Sequence, residues 1–230
     1  LRKDRPMVNL GIIGTGGIAK RFVPECECVN NVEIVASFNP NTQNNEEFCE
    51  KYHIKHSAKS LDELFYLCDS VYVASPYDTH YDYCKQALLA GKNVLCETPF
   101  VLSVKQAEEL YTIAERSNLV LMVALKTAYC PAFSHLYSLL KSGVIGDIVE
   151  INTSSTTLLE EGDYLVSKGR YGGSMVENGC FTLLPIIKFF GTDFKNINYY
   201  SRNVNNIDIF TKGVLRFEHA VASFQVGLGV

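Results

Sequence analysis

The sequence predicts an α/β protein in which a doubly wound parallel sheet precedes a second, α+β domain with an open and largely antiparallel sheet. Between residues 9 and 125, near-continuous apolar runs alternate with helical segments, and such runs are typical of strands buried on both faces of a parallel sheet. The first run leads into a glycine-rich turn. After Pro131, longer alternating runs rich in threonine and aromatic residues follow one another without crossover helices, which favours an antiparallel or mixed sheet.

Composition limits the classes of function. The 230 residues are 47% hydrophobic and 20% charged, as in soluble globular proteins of one large or two small domains. A net charge of -4 without a basic block argues against nucleic acid or a membrane surface as partner, so a small molecule is the expected ligand. No apolar run reaches the roughly 18 residues that span a bilayer, and we expect a cytoplasmic location. Eight scattered cysteines favour free thiols and no metal site.

A strand, a tight turn and a helix open the first domain. The apolar run Asn9 to Ile13 ends in Gly14-Thr15-Gly16-Gly17-Ile18-Ala19, and the sequence then turns helical. In a Rossmann unit the first glycine permits the turn, the second lets the backbone approach a pyrophosphate, and the small third residue packs helix on strand. Residues 14–18 are therefore predicted to bind a dinucleotide, with a plain strand-helix connection as the alternative. We expect Pro24 to shorten or kink the helix.

The remaining elements follow in chain order. Further strands are predicted at Val32–Phe38, Val71–Ser75, Asn93–Cys96 and Val120–Leu125, and helices at Thr42–Tyr52, after Ser60, at His80–Ala90 and after Ser103, the two serines opening capping boxes. The second part has a predicted helix at Ala132–Lys141 and strands at Ile148–Thr157, Asn196–Val204, Ile207–Glu218 and Val221–Val230. We expect a linker or tag remnant at 1–6, a dinucleotide-binding domain at 7–126, and a substrate and oligomerisation domain at 127–230 that is incomplete at its C-terminus.

Ligands of doubly wound sheets lie beyond the carboxyl ends of the strands, so residues at those ends form the candidate site. Besides the glycine turn, the predicted cofactor-binding residues are Ser37, Ser75, Pro76, His80, Glu97 and Thr98. An acidic residue at the end of the second strand would bind the ribose of NAD, and an arginine would favour the 2'-phosphate of NADP. Ser37-Phe38-Asn39 offers neither. Both cofactors stay open, with a slight preference for NAD because no basic residue is present there.

Longer motifs resemble a known family. They are Gly14 to Ala19, Ala74-Ser75-Pro76 followed by His80, Ala87 to Pro99, and Gly172 to Gly179. The chain is similar to the glucose-fructose oxidoreductase, inositol dehydrogenase and MocA (Gfo/Idh/MocA) family of NAD(P)-dependent dehydrogenases, and the most specific element is helix-Gly-Lys-x-Val-x-x-Glu-x-Pro. The resemblance implies homodimers or homotetramers formed through the exposed face of the second sheet. It also implies contact between His80 and the nicotinamide ribose, with a structural bond to the backbone as an equal alternative.

Two positions depart from the catalytic motifs of that family. Thr98 stands where the family has a lysine, and Phe181 stands where the family has a histidine four residues after an aspartate, here Glu177. Glutamate keeps the carboxylate, but phenylalanine cannot move a proton. We hypothesise that Lys126, with its pKa lowered by burial, or Tyr129 replaces the missing pair, and Glu177 is the third catalytic candidate. The alternative for Lys126 is a solvated or salt-bridged lysine.

Two functions follow from these observations. The intact nucleotide half favours an oxidoreductase that moves a hydride between a nicotinamide and a hydroxyl of a sugar, polyol or related small molecule. The changes at Thr98 and Phe181 instead favour a catalytically silent dinucleotide- or sugar-binding sensor or partner protein. Arg170, before the Gly-Gly pair, is either a ligand for an anionic substrate or a surface residue. The sequence favours the enzyme, because changing one acid/base group is a common way for a site to change substrate.

Overall fold

The computed structural model describes residues 6–159 and 172–229. The chain divides after Ala124 into two units, each with its own sheet. This boundary lies just before the expected one, so Lys126 belongs to the second unit. Within the described ranges, no helix is long and apolar enough to cross a membrane. Arg170 lies outside the described residues.

The first unit contains a six-stranded parallel sheet. Its strands are β1 (Val8–Ile13), β2 (Val32–Phe38), β3 (His56–Ala58), β4 (Ser70–Val73), β5 (Asn93–Cys96) and β6 (Leu121–Val123), in the order β3-β2-β1-β4-β5-β6. Its helices are α1 (Gly17–Glu27), α2 (Thr42–Tyr52), α3 (Leu61–Leu67), α4 (His80–Leu89) and α5 (Val104–Arg116). The chain order reverses between β1 and β4, at the switch point where such sheets bind ligands. The predicted doubly wound sheet is confirmed.

Alternate residues of the central strands face two separate apolar clusters. Ile12 and Tyr72 are buried in one cluster, and Ile13 and Val73 are buried in the other. Because successive side chains of a strand point to opposite faces, both faces of the sheet are covered, as the continuous apolar runs predicted.

Local signals explain the helix boundaries. Ser60 and Ser103 accept hydrogen bonds from the backbone N–H three residues on, so both predicted N-cap serines begin helices. The carboxylate of Glu63 accepts from the backbone N–H of Lys59 and not from that of Ser60, so the box at Ser60 is not reciprocal. Helix α1 continues past Pro24 to Glu27, so the expected shortening is wrong. A proline removes only one intrahelical hydrogen bond, and the buried side chains Ala19, Val23 and Cys26 hold α1 on the sheet.

The second unit contains a mixed, largely antiparallel sheet, as predicted. Its strands are β7 (Glu150–Thr157), β8 (Asn196–Val204), β9 (Ile207–Arg216) and β10 (Val221–Leu228), in the order β7-β10-β9-β8. Strand β10 pairs parallel with β7 and antiparallel with β9, which pairs antiparallel with β8. The unit also has the helices α6 (Pro131–Lys141) and α7 (Ser174–Phe190). Ile186 of α7 packs with Leu215 and Phe224, so this helix covers one face of the sheet.

Candidate functional site

The glycine turn lies directly against the loop that follows β4. Gly14 has a φ of 99°, and a Cβ added to it would lie 2.6 Å from the carbonyl oxygen of Ala74 and 2.8 Å from the backbone nitrogen of Ser75. Only glycine combines a positive φ with this close backbone approach. Gly14 therefore joins the carboxyl ends of β1 and β4, the two strands that flank the switch point.

The N-terminus of α1 has no side-chain cap. Gly16 occupies the N-cap position, and the first turn of α1 contains no acidic residue. Helices α2, α3 and α5 are capped by Asn41, Ser60 and Ser103. A Cβ added at Gly16 or Gly17 would meet no atom within 4 Å, so the space in front of these residues is open. Backbone N–H groups and the positive end of the helix dipole favour an anion there, and the turn from Gly14 to the exposed Ile18 fits a pyrophosphate.

Asn39, rather than Ser37, contacts the glycine turn at the end of β2. The Nδ2 of Asn39 donates a hydrogen bond of 2.7 Å to the Oγ1 of Thr15. Ser37 is fully buried, and its hydroxyl donates to the Oδ1 of Asn45 at 2.7 Å. Asn45 in turn donates to the backbone carbonyl oxygens of Ser37 and Ala58. Ser37 thus supports the end of β2 from inside, and Asn39 is the polar side chain at the position where this fold recognises a ribose.

His80 joins the loop after β4 to the loop after β5. Its buried ring places Nδ1 2.9 Å from the carbonyl oxygen of Pro99 and Nε2 2.8 Å from that of Ser75. The hydroxyl of Ser75 also bonds that of Thr79 at 2.8 Å, and Pro76 is exposed between them. Both ring nitrogens lie within hydrogen-bond distance of a backbone carbonyl, and a neutral imidazole donates to one of the two, so the buried ring bridges these two loops.

Glu97 has its carboxylate held from two sides. The hydroxyl of Tyr72 donates to Oε1 at 2.5 Å, and the backbone N–H of Thr98 donates to Oε2 at 3.2 Å. Tyr72 is buried, and its ring stacks on Phe22 with 4.0 Å between the ring centroids. Burial first, and then the bond to Glu97, raises the pKa of Tyr72 well above its usual value, so the hydroxyl remains a donor.

Tyr72, which bonds Glu97, was not among the site residues predicted from the sequence. A tyrosine inside a strand covered on both faces must place its hydroxyl on a polar partner. That requirement, together with a carboxylate at the end of the neighbouring predicted strand, is a signal that could have paired Tyr72 with Glu97.

The proposed catalytic residues of the second unit lie in two elements. Lys126 and Tyr129 both belong to the 3-10 turn Lys126–Tyr129, and both are exposed. The predicted burial of Lys126 is wrong, because the chain leaves β6 and turns before α6 instead of extending the strand. Glu177 and Phe181 lie one turn apart on α7, where Glu177 is half-buried and Phe181 is 38% exposed.

Asp208 of β9 holds the N-terminus of α7, the helix that carries Glu177. Its Oδ2 accepts hydrogen bonds from the hydroxyl of Ser174 at 2.5 Å and from the backbone N–H of Met175 at 2.9 Å. Gly173 has a φ of 134°, and a Cβ there would collide with the carboxylate of Asp208. The second glycine of the Gly-Gly pair is therefore required by this cap, in which a carboxylate also meets the positive end of the helix dipole.

Comparison with known proteins decides the family. The family model described as "Oxidoreductase family, NAD-binding Rossmann fold" (Gfo/Idh/MocA) matches residues 8–125. The chain belongs to this family. The relationship indicated by the sequence motifs is confirmed, and the strands of the first unit form the NAD-binding Rossmann fold of that family.

Several relatives are dehydrogenases or reductases. The scyllo-inositol 2-dehydrogenase (NADP(+)) of Bacillus subtilis (strain 168) is 29% identical over 199 residues, which are 80% of this chain and 59% of that protein. The glucose-6-phosphate 3-dehydrogenase of the same organism is 33% identical over 145 residues, which are 63% of this chain and 41% of that protein. This chain therefore spans about half the length of these two relatives.

Solved structures share the fold. A 3-ketoreductase from Actinomadura kijaniata in complex with TDP-benzene and NADP superposes with a TM-score of 0.84 at 24% identity. The superposition covers 98% of this chain and 70% of that chain. A myo-inositol 2-dehydrogenase from Lactobacillus plantarum gives a TM-score of 0.87 at 17% identity and covers 97% of this chain and 70% of that chain.

Proposed function

We propose that the chain is part of an NAD(P)-dependent oxidoreductase that transfers a hydride between a nicotinamide cofactor and a hydroxyl of a sugar, polyol or related small molecule. The open, uncapped N-terminus of α1 is the main support for this proposal. Its glycine turn contacts the loop after β4 through Gly14 and the residue after β2 through Thr15. Membership of the oxidoreductase family supports the reaction type. Relatives named as inositol and sugar-phosphate dehydrogenases support the substrate class.

A bound nicotinamide dinucleotide would supply the hydride donor or acceptor. The backbone amides of residues 14–18 would hold its pyrophosphate, and Asn39 would bind a ribose hydroxyl. Glu97 presents a carboxylate at the end of β5, next to β4, and its two hydrogen bonds fix it to accept from hydroxyl groups.

Lys126, Tyr129 and Glu177 are the proposed proton-handling residues, because each can exchange a proton with a substrate hydroxyl.

The purified chain is titrated with NADH and NADPH by cofactor fluorescence and then assayed with inositols, sugars and sugar phosphates. We expect binding and turnover. Lys126→Ala, Tyr129→Phe or Glu177→Gln should lower kcat while leaving cofactor affinity unchanged. Lys141→Ala, an exposed lysine at the end of α6, is the matched control. Unchanged kcat in all three variants would exclude these roles.

A second candidate function is favoured by the side chains at the two family catalytic positions. Thr98 and Phe181 stand where the family has a proton-carrying lysine and histidine, which favours a protein that binds the cofactor but no longer catalyses the reaction. Such a protein binds dinucleotide but turns over no substrate in the panel. The double variant Thr98→Lys, Phe181→His distinguishes the two functions. If the unaltered chain has no turnover and the double variant gains it, the chain is a catalytically silent binding protein.

We also propose that the chain forms homodimers or homotetramers through the face of the second sheet opposite α7. Lys212, Val214 and Arg216 alternate with inward residues of β9 and are exposed on that face. Size-exclusion chromatography with light scattering tests this. Val214→Glu should shift the oligomer to the monomer, whereas Tyr66→Glu, at an exposed position of the first unit, should not.

A further inference from the structure

A polar cavity of about 230 Å³ lies between α1 and α2 in the first unit. Four of its residues, Asn44, Glu47, Phe48 and Lys51, recur at helical spacing along one face of α2. Lys20 of α1 lines the same space. The full lining is Thr15, Lys20, Asn44, Glu47, Phe48, Lys51 and Tyr52.

The cavity borders the position at which this fold recognises a ribose. Thr15 belongs both to the cavity lining and to the glycine turn, and its hydroxyl accepts the hydrogen bond from Asn39 at 2.7 Å. Asn39 directly follows β2. In a Rossmann unit, the residue at this position contacts the adenosine ribose. Because Thr15 lies at both places, a group attached to the 2'-oxygen of that ribose would lie beside the cavity that Lys20 and Lys51 line.

The charges around the cavity favour an anion. Lys20 and Lys51 are both exposed, and within the described ranges neither ammonium takes part in an ion pair. Lys51 instead lies over the ring of Tyr52, with its Nζ 5.4 Å from the ring centroid. The opposing charge is that of Glu47, whose Oε1 accepts from the side-chain amide of Gln43 at 2.9 Å. Two ammonium groups against one carboxylate leave the cavity positive.

We propose that this cavity receives the 2'-phosphate of NADP, with Lys20 and Lys51 as its cationic partners, so that the chain selects NADP over NAD. The inference rests on the proposed dinucleotide binding and specifies the form of the cofactor. The residues next to the end of β2 include no basic side chain, but the two lysines of this cavity favour NADP over NAD. The basic groups come from one turn into α1 and from the last turn of α2.

Isothermal titration with 2',5'-ADP, 5'-AMP, NADPH and NADH tests the proposal on the purified chain. We expect 2',5'-ADP to bind at least about tenfold more tightly than 5'-AMP, and NADPH at least about tenfold more tightly than NADH, because the 2'-phosphate would form charge-assisted hydrogen bonds. Lys20→Ala and Lys51→Ala should each weaken NADPH binding by about tenfold and leave NADH binding unchanged. Glu47→Gln should strengthen NADPH binding, because it removes the one opposing charge.

Lys55→Ala is the matched control. Lys55 is also an exposed lysine near α2, but its Nζ bonds Glu33 at 2.5 Å, at the start of β2 and away from Asn39. Equal affinities for NADPH and NADH in the unaltered chain would overturn the assignment and leave the proposed oxidoreductase intact. Lysine variants that weaken the binding of NADPH and of NADH equally would also overturn the assignment and leave the proposed oxidoreductase intact. Failure to bind any dinucleotide would overturn the proposed function itself, and the assignment with it.

Discussion

The hydroxyl of buried Tyr72 donates a 2.5 Å hydrogen bond to the carboxylate of Glu97, the first residue of the Glu-x-Pro motif. Phe22 of α1 stacks on the same tyrosine ring. The helix that begins at the glycine turn and the strand end that carries Glu97 are thus connected through one core side chain. A change in the packing of α1 should therefore alter the position of Glu97.

Replacing Tyr72 by phenylalanine removes this hydrogen bond and keeps the stacked ring. We expect the free energy of unfolding to fall by about 1–2 kcal/mol, because a hydrogen bond to a charged and partly buried carboxylate is lost. Chemical denaturation measures the change. Tyr66→Phe, at a position 88% exposed, should have no effect. Equal stability of Tyr72→Phe and the unaltered chain would contradict the assigned bond.

Alkaline pH should destabilise the protein through the same tyrosine. Burial and Glu97 raise the pKa of Tyr72 in the folded state above its usual value of 10.0, so the folded chain keeps a proton that the unfolded chain loses. The stabilisation is complete below pH 10 and declines above it by about 1.4 kcal/mol per pH unit. The free energy of unfolding, followed from about pH 9 to pH 11, should fall less steeply in Tyr72→Phe. Parallel slopes would refute this explanation.

Asn45 is a buried amide that ties β2 to β3. Its Nδ2 donates to the carbonyl oxygens of Ser37 and Ala58, and its Oδ1 accepts from the hydroxyl of Ser37. Asn45→Ala leaves these groups unpaired in the interior, so we expect a loss of about 2–3 kcal/mol in the free energy of unfolding. The exposed neighbour Gln43 supplies the control variant Gln43→Ala, which should stay within about 0.5 kcal/mol of the unaltered chain.

Asp208 should be essential for the stability of the second unit. Asp208→Ala removes the acceptor for Ser174, Met175 and Thr211, and we expect it to destabilise the unit by about 2 kcal/mol. Asp208→Asn keeps an acceptor oxygen but loses the charge, so its effect should be smaller. Thermal unfolding by circular dichroism measures both variants. If Asp208→Asn is as unstable as Asp208→Ala, the acceptor oxygen at this position does not stabilise the second unit.

Features that depend on neighbours in the chain were predictable from the sequence. The glycine turn, the helix Thr42–Tyr52 and the N-cap serines Ser60 and Ser103 all depend on residues within one helical turn. Strand β3 was not predicted, because three residues at a sheet edge carry no periodic signal.

Features that depend on tertiary position could not be predicted in the same way. The burial of Lys126 was expected from a strand that instead ends at Val123. Lys20 and Lys51 are 31 positions apart in the sequence, and only the packing of α1 beside α2 brings them to one cavity. Tyr72 meets Glu97 because β4 and β5 are adjacent in the sheet, which periodicity alone does not specify.

We propose that the open space before α1 holds the pyrophosphate of a nicotinamide dinucleotide, and a substitution at Gly16 probes this contact. Gly16 has a φ of -73° and an added Cβ would meet no protein atom, so Gly16→Ala should change the free energy of unfolding by less than about 1 kcal/mol. The affinity for NADPH, measured by titration of cofactor fluorescence, should nevertheless fall by about tenfold or more, because the methyl group would occupy the approach to the backbone amides. Unchanged NADPH affinity in a folded Gly16→Ala variant would contradict the claim.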